Sequence, residues 1–586
     1  MSRSKAKNRV DGTWVLKWKK VRKEIEGKNS WVRIVKARLT ARGFKDLQAF
    51  RDDVTTYSGT ASKWAQRMVN QHAAQFEYEI FSMDISATFL KGMTYEKISK
   101  ITGDPLRSVQ FDFPPKDAWL LQKLPGMSNF DYHTEVLDLV KALWGLKDAP
   151  RAFGLKLAET LRESGFTQGI IDPQVWRRFS KEHSGKPGHM RNQVSPSEPK
   201  QRSNHVGEEV LGKHVECMLT THIDDIKGSG TGQARDILLR ALRKDYGDDV
   251  KVETKEFEHV GIKHIQHSDC SIYAHQEHYV QEISEISLSK VDTSDPNATL
   301  IGDILILFWS LVGALAWLQQ TRADICPFVG HLQRVAHKPT IGHAKRANKI
   351  LRYVRRVKSG LRYRRLTPPL MMVTAADSAY QANTELTECL ALRGYITLVV
   401  GQAAQGDQQG HFPGGPCTVL EWTSKKFTVI TRSSFCAELR NQLEAAQSSI
   451  LLASFLEENT TKCISALKLA EAQDNGHLST PIHLCGDNKG VFSAVSAQNP
   501  KTTAEPTLTP HVKALREYLD QRAITTLVWV DNRDMIADPL TKGKTRRNEI
   551  NDVLNKGMWK IIHTTEVWPK QKGLNTVTGI DPTSHA

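Results

Sequence analysis

The spacing of apolar and polar residues predicts different secondary structure in successive parts of the chain. Residues 13–44 alternate between apolar and basic positions, with Trp14, Leu16 and Trp18 in the first half and Val32 in the second. A period of two is typical of a β-strand with one wet face. The pattern therefore predicts two paired strands with a basic exposed face.

Helical spacing appears at 61–74, just before an apolar strand that ends at Asp84. It appears again at 137–161, where Gly145 and Pro150 interrupt it, so we expect a turn and then a helix from residue 151 onward.

A longer uncharged stretch covers 304–321. Its 18 residues approach the length that a membrane-spanning helix needs, although Ser310, Gln319 and Gln320 interrupt it. We expect a buried core helix here. A membrane-associated protein built on this helix is the alternative.

The next helix, predicted at 341–357, has two different faces. Ala347, Ile350, Leu351 and Val354 form an apolar stripe that can pack on a core. The other positions carry candidate nucleic-acid-binding residues, namely Lys345, Arg346, Lys349, Arg352, Arg355 and Arg356.

Two segments interrupt the periodic pattern. Residues 180–207 are rich in Pro, Ser and Gly and are expected to form a mobile surface insertion. Residues 293–296 mark a second boundary. Beyond 367 the sequence returns to strand, helix and strand signals.

Composition favours a multidomain nucleic-acid-binding protein. The chain has 586 residues, 40% hydrophobic and 25% charged, which suits three to five globular domains. Its net charge is +16, and the excess of basic residues is concentrated in two regions. Residues 1–51 contain 16 Lys and Arg against 4 Asp and Glu, and 12 Lys and Arg with no acid lie between Asp324 and Asp377. Such basic blocks favour phosphate neutralisation.

The cysteines and the amino terminus favour an intracellular protein. The eight cysteines are scattered without a zinc-binding spacing, as expected for reduced thiols. The basic residues near Met1 are not followed by an apolar signal core, so we do not expect secretion.

Two acidic groups have the pattern of a two-metal active site. An apolar strand delivers Asp224 and Asp225 at a turn, and Asp84 ends another strand about 140 residues earlier. Phosphoryl transfer with two Mg²⁺ ions needs such oxygen ligands, because Mg²⁺ is a hard cation. Taken alone, an acidic doublet is also common as a solvated turn.

A second set of carboxylates lies in the last third of the chain. Asp377, Asp487 and Asp538 each follow an apolar strand, and Glu438 lies early in a helix that begins near 433. A tertiary fold could bring these four residues together around metal ions. Taken singly, each is more simply a surface or capping acid.

Several motifs follow one another along about 30–545. The first six are KARLTARGF (36–44), MDISATFLKG (83–92), LWGLKDAPRAF (143–153), the Asp224 and Asp225 doublet, TRADI (321–325) and ILRY (350–353). Three further motifs are SSFCAE (433–438), CGDN (485–488) and ADPLTK (537–542). The order of the first six resembles the polymerase part, and that of the last three the ribonuclease H part, of a copia-type (Pseudoviridae-like) retrotransposon Pol polyprotein.

The resemblance implies roles for individual residues. Asp84, Asp224 and Asp225 would be catalytic and hold two Mg²⁺ or Mn²⁺ ions, and so would Asp377, Glu438, Asp487 and Asp538 at the second site. Phe89 would lie under the incoming sugar. Lys36, Arg38, Arg42 and Lys147 would contact the triphosphate or the template backbone, although solvated strand charges would explain Arg42 equally well.

Three positions need separate comment. His222 stands where the family usually has an aromatic residue, and Asp148 where many relatives have an amide that touches the nucleotide. An acid near a triphosphate is unfavourable unless a cation offsets it, and Lys147 is adjacent. His511 aligns with a family histidine near the nuclease site, but a lone histidine is more often structural.

The expected fold is a multidomain α+β and α/β architecture, with a right-hand polymerase followed by a ribonuclease H-like α/β domain. We predict a basic segment at 1–29, fingers and palm at 30–270, a helical thumb or connection at 271–366, a ribonuclease H-like domain at 367–545 and a tail at 546–586.

The expected function is RNA-directed DNA polymerase with ribonuclease H activity. The partners would be an RNA template, a primer, an RNA/DNA hybrid and deoxynucleotide triphosphates, in a cytoplasmic particle or the nucleus. The family's protease motif, integrase region and zinc knuckle are absent, so we expect a fragment or a degenerate copy. The alternative is a catalytically degenerate nucleic-acid-binding remnant.

Overall fold

The computed structural model describes residues 1–25, 28–51, 54–180, 214–288, 294–380, 391–402, 414–460, 464–498 and 505–569. Except for Ser180, the insertion predicted at 180–207 lies outside the described residues. The same holds for 570–586, the last part of the predicted tail.

The β-strands of the described residues are β1 (Arg9–Ile25), β2 (Lys28–Ala41), β3 (Glu79–Ile85), β4 (Gln110–Asp112), β5 (Leu137–Asp138), β6 (Thr167–Gln168), β7 (Val175–Phe179), β8 (Val215–His222), β9 (Asp225–Gly230), β10 (Val250–Thr254), β11 (Glu256–His259), β12 (Ile262–Gln266), β13 (Ile272–His275), β14 (Leu361–Tyr363), β15 (Met371–Ala379), β16 (Leu392–Val400), β17 (Gly415–Lys426), β18 (Ile482–Gly486), β19 (Thr526–Val530), β20 (Met558–Trp559) and β21 (Thr565–Trp568).

The α-helices are α1 (Leu47–Phe50), α2 (Lys63–Phe76), α3 (Tyr95–Thr102), α4 (Ala118–Gln122), α5 (Ala149–Glu163), α6 (Gly232–Tyr246), α7 (Glu277–Glu282), α8 (Gly302–Leu318), α9 (Cys326–Arg334), α10 (Ile341–Arg356), α11 (Ser434–Thr460), α12 (Ala466–Asp474), α13 (Lys489–Ser496), α14 (Thr509–Asp520), α15 (Asp538–Thr541) and α16 (Asn548–Lys556).

The strands form four sheets, so the fold is mixed α/β as expected. A four-stranded sheet has the order β2-β1-β4-β5, and a six-stranded sheet has the order β10-β3-β9-β8-β7-β6. A second four-stranded sheet has the order β11-β12-β13-β14, and a seven-stranded sheet has the order β20-β17-β16-β15-β18-β19-β21.

The first sheet contains the paired strands that the alternating pattern predicts. β1 and β2 pair antiparallel from Gly12 opposite Ala41 to the hairpin end, and β1 also pairs with β4. Trp18 is 74% exposed, so apolar side chains also occupy the exposed part of the hairpin. The boundary predicted at residue 29 falls inside this hairpin, because β1 supplies the hydrogen-bonding partner of β2.

The six-stranded sheet is covered on both faces. Helices α5 and α6 pack on one face, where Phe153, Leu157 and Leu238 join the core formed with Phe81 and Met83 of β3. Helix α2 packs on the other face, against β8 and β9. These helices confirm the helical segments predicted at 61–74 and from residue 151.

Helix α2 also packs on β17 of the seven-stranded sheet, so both of its sides are buried. Polar side chains of α2 form hydrogen bonds with β17 and with the segment between β14 and β15. Arg67 Nη1 donates to Leu420 O at 2.7 Å, Thr418 Oγ1 donates to Gln71 Oε1 at 2.7 Å, and Gln75 Nε2 donates to Leu366 O at 2.9 Å. The two large sheets are therefore attached through one shared helix.

Helices α7 to α10 form a separate apolar cluster. The helices predicted at 304–320 and 341–357 are α8 and α10. Among the described helices, none has both the length and the apolarity that crossing a membrane requires. The two motifs at 321–325 and 350–353 meet here, since Asp324 pairs with Arg322 at 2.7 Å and accepts from Tyr353 Oη at 2.8 Å.

The described part of the predicted tail is folded. Helix α16 buries Ile550, Val553 and Leu554, and β21 pairs antiparallel with β19, with Trp568 opposite Leu527. Short apolar elements beyond the boundary predicted at 545 therefore complete the seven-stranded sheet.

A buried ion pair attaches the β6–β7 region to α11. Arg177 Nη2 lies 2.9 Å from Glu458 Oε1, and the two side chains are 4% and 1% exposed. The backbone N–H of Ile171 also donates to Glu458 Oε2 at 3.2 Å. Such a pair is strongly destabilising to break, because the remaining charge stays buried without compensation.

We therefore expect Glu458→Gln to lower the free energy of unfolding by about 3 kcal/mol, measured by urea denaturation. The matched control is Asp520→Asn, which removes an exposed pair with Arg516 on α14 and should cost less than about 0.5 kcal/mol. Equal effects of the two substitutions would contradict the importance of the buried pair.

Candidate active sites

The first acidic site lies at the tip of the β8–β9 hairpin. Asp225 is the first residue of β9, and its direct partner on β3 is Asp84. Directly paired residues on neighbouring strands project from the same face of the sheet. Asp224 lies in the turn beside them, where Thr88 Oγ1 approaches its Oδ2 at 3.5 Å. The fold thus brings together three acids from distant parts of the sequence.

The proximity of these acids changes the titration of Asp225. Burial raises its pKa to about 6, and the negative charges of Asp224 and Asp84 add to this effect. Repulsion of this kind favours a bound cation. In the described part of the chain, the carboxylate oxygens of Asp377, Asp487 and Asp538 lie within 4.8 Å of one another. The three carboxylates of the first acidic site are less closely grouped than these.

The turn that carries Asp224 has an unusual backbone conformation. His222 pairs with Asp225, so Ile223 and Asp224 form a two-residue hairpin loop, and Ile223 has φ of 58°. A β-branched residue at positive φ is strained, because its side chain crowds the backbone. Strain of this kind persists where the surrounding structure enforces it. The imidazole of His222 is half-buried next to this turn.

Asp148 does not depend on Lys147 for its counter-charge. Its Oδ2 accepts from Arg107 Nε at 2.9 Å, both side chains are 8% exposed, and Arg107 also pairs with the buried Asp46. Lys147 itself is exposed just before α5. The counter-charge of Asp148 is therefore an arginine 41 residues earlier in the sequence, which it shares with Asp46.

The other residues predicted to contact the substrate occupy different environments. Lys36 and Arg38 are exposed on one face of β2. Arg42 Nη1 instead pairs with Asp11 Oδ2 at 3.0 Å. Phe89 is half-buried and packs against the apolar clusters under β3 and α5. The structure gives Arg42 a structural partner, and the roles of the other three stay predictions.

The second acidic site lies at the ends of two parallel strands. Ala376 of β15 pairs with Gly486 of β18, so Asp377 and Asp487 follow directly at neighbouring positions. Asp538 begins the short helix α15, which packs on β15 and β16. Glu438 lies in the first turns of α11, next to β15. Four elements therefore contribute one carboxylate each.

Three of these carboxylates are close enough to share a cation. Asp377, Asp487 and Asp538 each offer an oxygen within 4.8 Å of the others. The side chain of Lys542 lies among them, with its Nζ 2.9 Å from Asp377 Oδ1, 2.8 Å from Asp538 Oδ1 and 4.0 Å from Asp487 Oδ2.

Burial and mutual repulsion raise the pKa values of this cluster. Burial raises the pKa of Asp487 to about 6 and that of Asp538 to about 7, with the charge of Asp377 adding to both. Burial, together with Asp377 and Asp487, also raises the pKa of Glu438 well above its usual range. Burial opposes the charged form of Lys542, but the carboxylates of Asp377 and Asp538 outweigh it and raise the pKa of this lysine.

The donor set suits a divalent ion that prefers oxygen. Glu438 Oε1 accepts from the backbone N–H of Ser378 at 3.0 Å, whereas its buried Oε2 has no hydrogen-bond partner. An unsatisfied buried oxygen beside three further carboxylates fits Mg²⁺ or Mn²⁺, both of which take hard oxygen ligands. These four residues are therefore able to hold the metal that the family resemblance implies.

Sequence reasoning missed several residues of this site. Thr541 Oγ1 donates to Asp377 Oδ2, and Asn441 Nδ2 donates to Asp377 O at 2.8 Å. Lys542 was quoted as part of a motif without a role. Its position four residues after Asp538 could have suggested an ion pair, since such residues are neighbours on a helical turn.

His511 lies in the first turn of α14, and its buried Nδ1 has no hydrogen-bond partner. Burial lowers its pKa, and the positive charge of Arg440 contributes. The side chain is therefore neutral near pH 7, and its role stays open.

The basic residues of α10 differ in exposure and in the partners they contact. Lys345, Lys349 and Arg356 are exposed. Arg352 Nε lies 3.0 Å from Glu285 Oε2, and Arg355 contacts the same carboxylate at 3.4 Å. Arg346 donates to His331 Nε2 at 3.1 Å. The apolar stripe predicted on this helix is buried in the helical cluster.

The raised pKa values predict how metal affinity depends on pH. The native protein keeps protons on Asp487 and Asp538 up to about pH 6 and 7, whereas the unfolded chain loses them near pH 3.8. Their contribution to stability is therefore present at pH 4 and is lost as pH rises through 6 to 7. A cation needs the ionised forms, so metal affinity changes in the opposite direction.

We expect the affinity for Mn²⁺ to rise at least about tenfold between pH 6 and pH 8, with most of the change below pH 7.5. The measurement is a calorimetric titration of an Asp225→Asn variant. This substitution removes the carboxyl group with a raised pKa at the first acidic site, so that the second site is measured by itself. The same titration with Asp487 and Asp538 also changed to Asn should show little Mn²⁺ binding at either pH, because two of the four proposed ligands are gone. A flat profile in the Asp225→Asn protein would contradict the assignment.

Comparison with known proteins gives relatives at low identity. The chain is 23% identical over 438 residues to the Retrovirus-related Pol polyprotein from transposon RE1 of Arabidopsis thaliana, a match that covers 72% of this chain and 25% of that protein. Identity to the corresponding protein from transposon RE2 is 22% over 440 residues, with the same coverage. No protein-family model matches the chain.

A third relative is the Retrovirus-related Pol polyprotein from transposon TNT 1-94 of Nicotiana tabacum, which is 23% identical over 477 residues. That match covers 78% of this chain and 30% of the relative. The chain thus spans about a quarter of the length of the curated relatives it matches.

Among solved structures, the foamy viral protease-reverse transcriptase dRH in complex with double-stranded DNA is 12% identical, and the match covers 83% of this chain and 62% of that one. The foamy viral protease-reverse transcriptase with double-stranded DNA is 13% identical, with 87% and 74% covered. Both have a TM-score of 0.17, which is too low to establish a shared fold.

The sequence matches confirm the resemblance that the motifs predict: the chain is a low-identity relative of the retrovirus-related Pol polyproteins of plant copia-type transposons.

Proposed function

We propose that this chain is an RNA-directed DNA polymerase with ribonuclease H activity. The observation that carries the proposal is the presence of two separate acidic centres in one chain, each at the end of buried strands. Asp84 and Asp225 are direct partners in the six-stranded sheet. Asp377, Asp487 and Asp538 converge near the carboxyl ends of the central strands β15 and β18 of the seven-stranded sheet.

In this proposal the six-stranded sheet with α2, α5 and α6 is the palm, and the β1–β2 sheet is the fingers. The helical cluster of α7 to α10 is the thumb or connection, and the seven-stranded sheet is the ribonuclease H-like domain. The substrates are an RNA template with its primer, deoxynucleotide triphosphates and the resulting RNA/DNA hybrid.

At the polymerase centre, Asp84 and Asp224 would hold Mg²⁺ or Mn²⁺ and Asp225 would support the site. Bound divalent ions would activate the attacking oxygen and stabilise the leaving oxygen at each centre. Asp225 shares a face with Asp84, so its carboxylate adds negative charge where cations are needed. Phe89 would pack under the sugar of the incoming nucleotide, and its contacts with two apolar clusters would fix the position of its ring.

Cationic side chains would bind the phosphates. Lys36 and Arg38 project from the same exposed face of β2 and would neutralise the triphosphate or the template backbone. Lys147 is exposed, and the acid beside it pairs with Arg107, which Asp46 shares. That pairing reduces the repulsion of a nucleotide near this turn, and Lys147 supplies a further positive charge.

At the nuclease centre, Asp377, Glu438, Asp487 and Asp538 would hold the ions that hydrolyse the RNA strand. Thr541 and Asn441 fix the position of Asp377 through its carboxylate and its backbone carbonyl. The unsatisfied Oε2 of Glu438 supplies a further ligand oxygen.

Separation of the two activities tests the proposal. We expect Asp224→Asn to reduce Mg²⁺-dependent primer extension on RNA by at least about 100-fold and to leave hybrid degradation intact, because the two centres lie on different sheets. We expect Asp487→Asn to do the reverse. Primer extension and cleavage of a labelled hybrid measure both activities in each variant. Loss of both activities in either variant would contradict independent centres.

The alternative is a nucleic-acid-binding remnant without turnover. The observation that favours it is the looser grouping of Asp84, Asp224 and Asp225 around the strained Ile223. It predicts binding of the hybrid without Mg²⁺-dependent extension by the unaltered chain. Extension that depends on Asp224 would exclude it.

Salt dependence tests the proposed nucleic-acid surface on α10. We expect Lys349→Ala and Arg356→Ala each to reduce the slope of log K against log salt by up to about 0.9, since each removes one phosphate contact. Arg352→Ala is the matched comparison. It should change the slope less, because Glu285 already pairs with this guanidinium. Fluorescence anisotropy with a hybrid at several salt concentrations measures the slopes, and identical slopes in all four proteins would contradict this surface.

A further inference from the structure

We propose that Lys542 is a built-in cation that holds the second acidic site together in the metal-free protein and must leave its carboxylates before a divalent ion binds them. This inference rests on the proposed nuclease function. Besides the residues that would hold the metal, it assigns Lys542 a role in controlling metal binding.

The geometry carries the argument. Lys542 Nζ contacts Asp377 Oδ1 and Asp538 Oδ1 at 2.9 and 2.8 Å and lies 4.0 Å from Asp487 Oδ2. These are the same three residues whose oxygens approach one another within 4.8 Å. An ammonium group among these oxygens and a divalent ion bound to them would repel each other. The two cations are therefore alternatives for the same set of oxygens.

The surroundings of Lys542 allow it to leave while its partners stay in place. The side chain of Asp377 is fully buried, and that of Lys542 is 35% exposed. Lys542 follows the last residue of α15 and has an extended backbone, with φ of −109° and ψ of 128°. A flexible lysine stem at the edge of the site can rotate toward solvent. Thr541, which also holds Asp377, need not move with it.

The charge balance explains why a cation is needed in the absence of metal. Four carboxylates from separate elements converge on this site, and Lys542 is the positive charge that acts on Glu438, Asp487 and Asp538. Without that charge the carboxylates would repel one another in a buried place. Lys542 therefore stabilises the metal-free fold and competes with the metal.

Substitution of Lys542 should then have two opposite effects. Lys542→Met keeps a linear side chain and removes the charge, and we test it in an Asp224→Asn, Asp225→Asn background so that the second acidic site is isolated. We expect a lower melting temperature in EDTA and about tenfold tighter binding of Mn²⁺ by calorimetry. Lys556→Met, which removes an exposed lysine paired with Asp552, is the control and should leave both quantities unchanged.

A lysine with a purely structural role would lower the melting temperature without tightening Mn²⁺ binding, and that result would overturn the inference. If neither protein bound Mn²⁺ in the isolated background, the nuclease assignment would fail together with it. Equal affinities in both proteins would overturn the role of Lys542 alone and leave the metal site intact.

A second measurement needs no substitution at Lys542. Acetylation of the unaltered chain, followed by mass spectrometry, reports the reactivity of each lysine with and without Mn²⁺. We expect the acetylation rate of Lys542 to rise at least about fivefold with Mn²⁺, because the released ammonium loses its carboxylate partners and lies near added positive charge. Lys556 is the internal reference. An unchanged or lower rate at Lys542 would contradict the displacement.

Discussion

The burial of helix α2 on two sides is the constraint on which the relation between the two large sheets depends. A helix between two apolar layers normally carries few polar residues, because each buried polar group needs a partner. Here Arg67 and Gln71 find those partners on β17, and Gln75 finds one in the segment between β14 and β15. The helix also bonds to the six-stranded sheet, since His72 contacts Ser229 Oγ at 2.6 Å and Lys227 Nζ donates to Asn70 Oδ1 at 3.1 Å. Both of its sides thus combine apolar contacts with specific hydrogen bonds.

This arrangement places both acidic centres on one connected framework. The first centre lies where β3 ends and β9 begins, and α2 packs on both strands. The second centre lies on the sheet that contains β17, and α2 contacts this strand as well. The buried pair of Arg177 and Glu458 adds a second attachment between the same two layers. A substrate that reached both centres would meet them at a spacing set by the packing of one helix.

The two centres deal with repulsion between carboxylates in different ways. At the second centre a lysine lies among the acids, and the raised pKa values show how strongly burial and neighbouring charges act there. At the first centre Asp84 is exposed, and the strain of the turn is concentrated at Ile223. The first centre is thus more solvated and more dependent on backbone geometry, whereas the second is drier and more dependent on charge pairing.

The main elements could be predicted from the sequence because their patterns are local. The hairpin of β1 and β2, helices α2, α5, α8 and α10, and the strands that precede the acids follow from periodicity and turn residues. Lys542 and Asp377 are 165 residues apart, and Arg107 and Asp148 are 41 residues apart. Local patterns carry no information about such contacts, which depend on how the sheets are assembled.

The boundaries predicted at residues 29 and 545 show the same limit. The alternation at 13–44 predicts both strands of the β1–β2 hairpin, whereas the pairing of β21 with β19 has only a weak signal in the sequence, because β21 has four residues. The positive φ of Ile223 at the tip of the β8–β9 hairpin is likewise specified by no residue pattern.

The position of β21 has a practical consequence for how the protein is produced. It covers the outer edge of β19, whose backbone N–H and C=O groups would otherwise face solvent. An open edge of an apolar strand is a template for pairing with other chains. An expression fragment trimmed at residue 545 would lose that cover, and its failure to remain monomeric would reflect the missing edge strand and not a defect at either acidic centre.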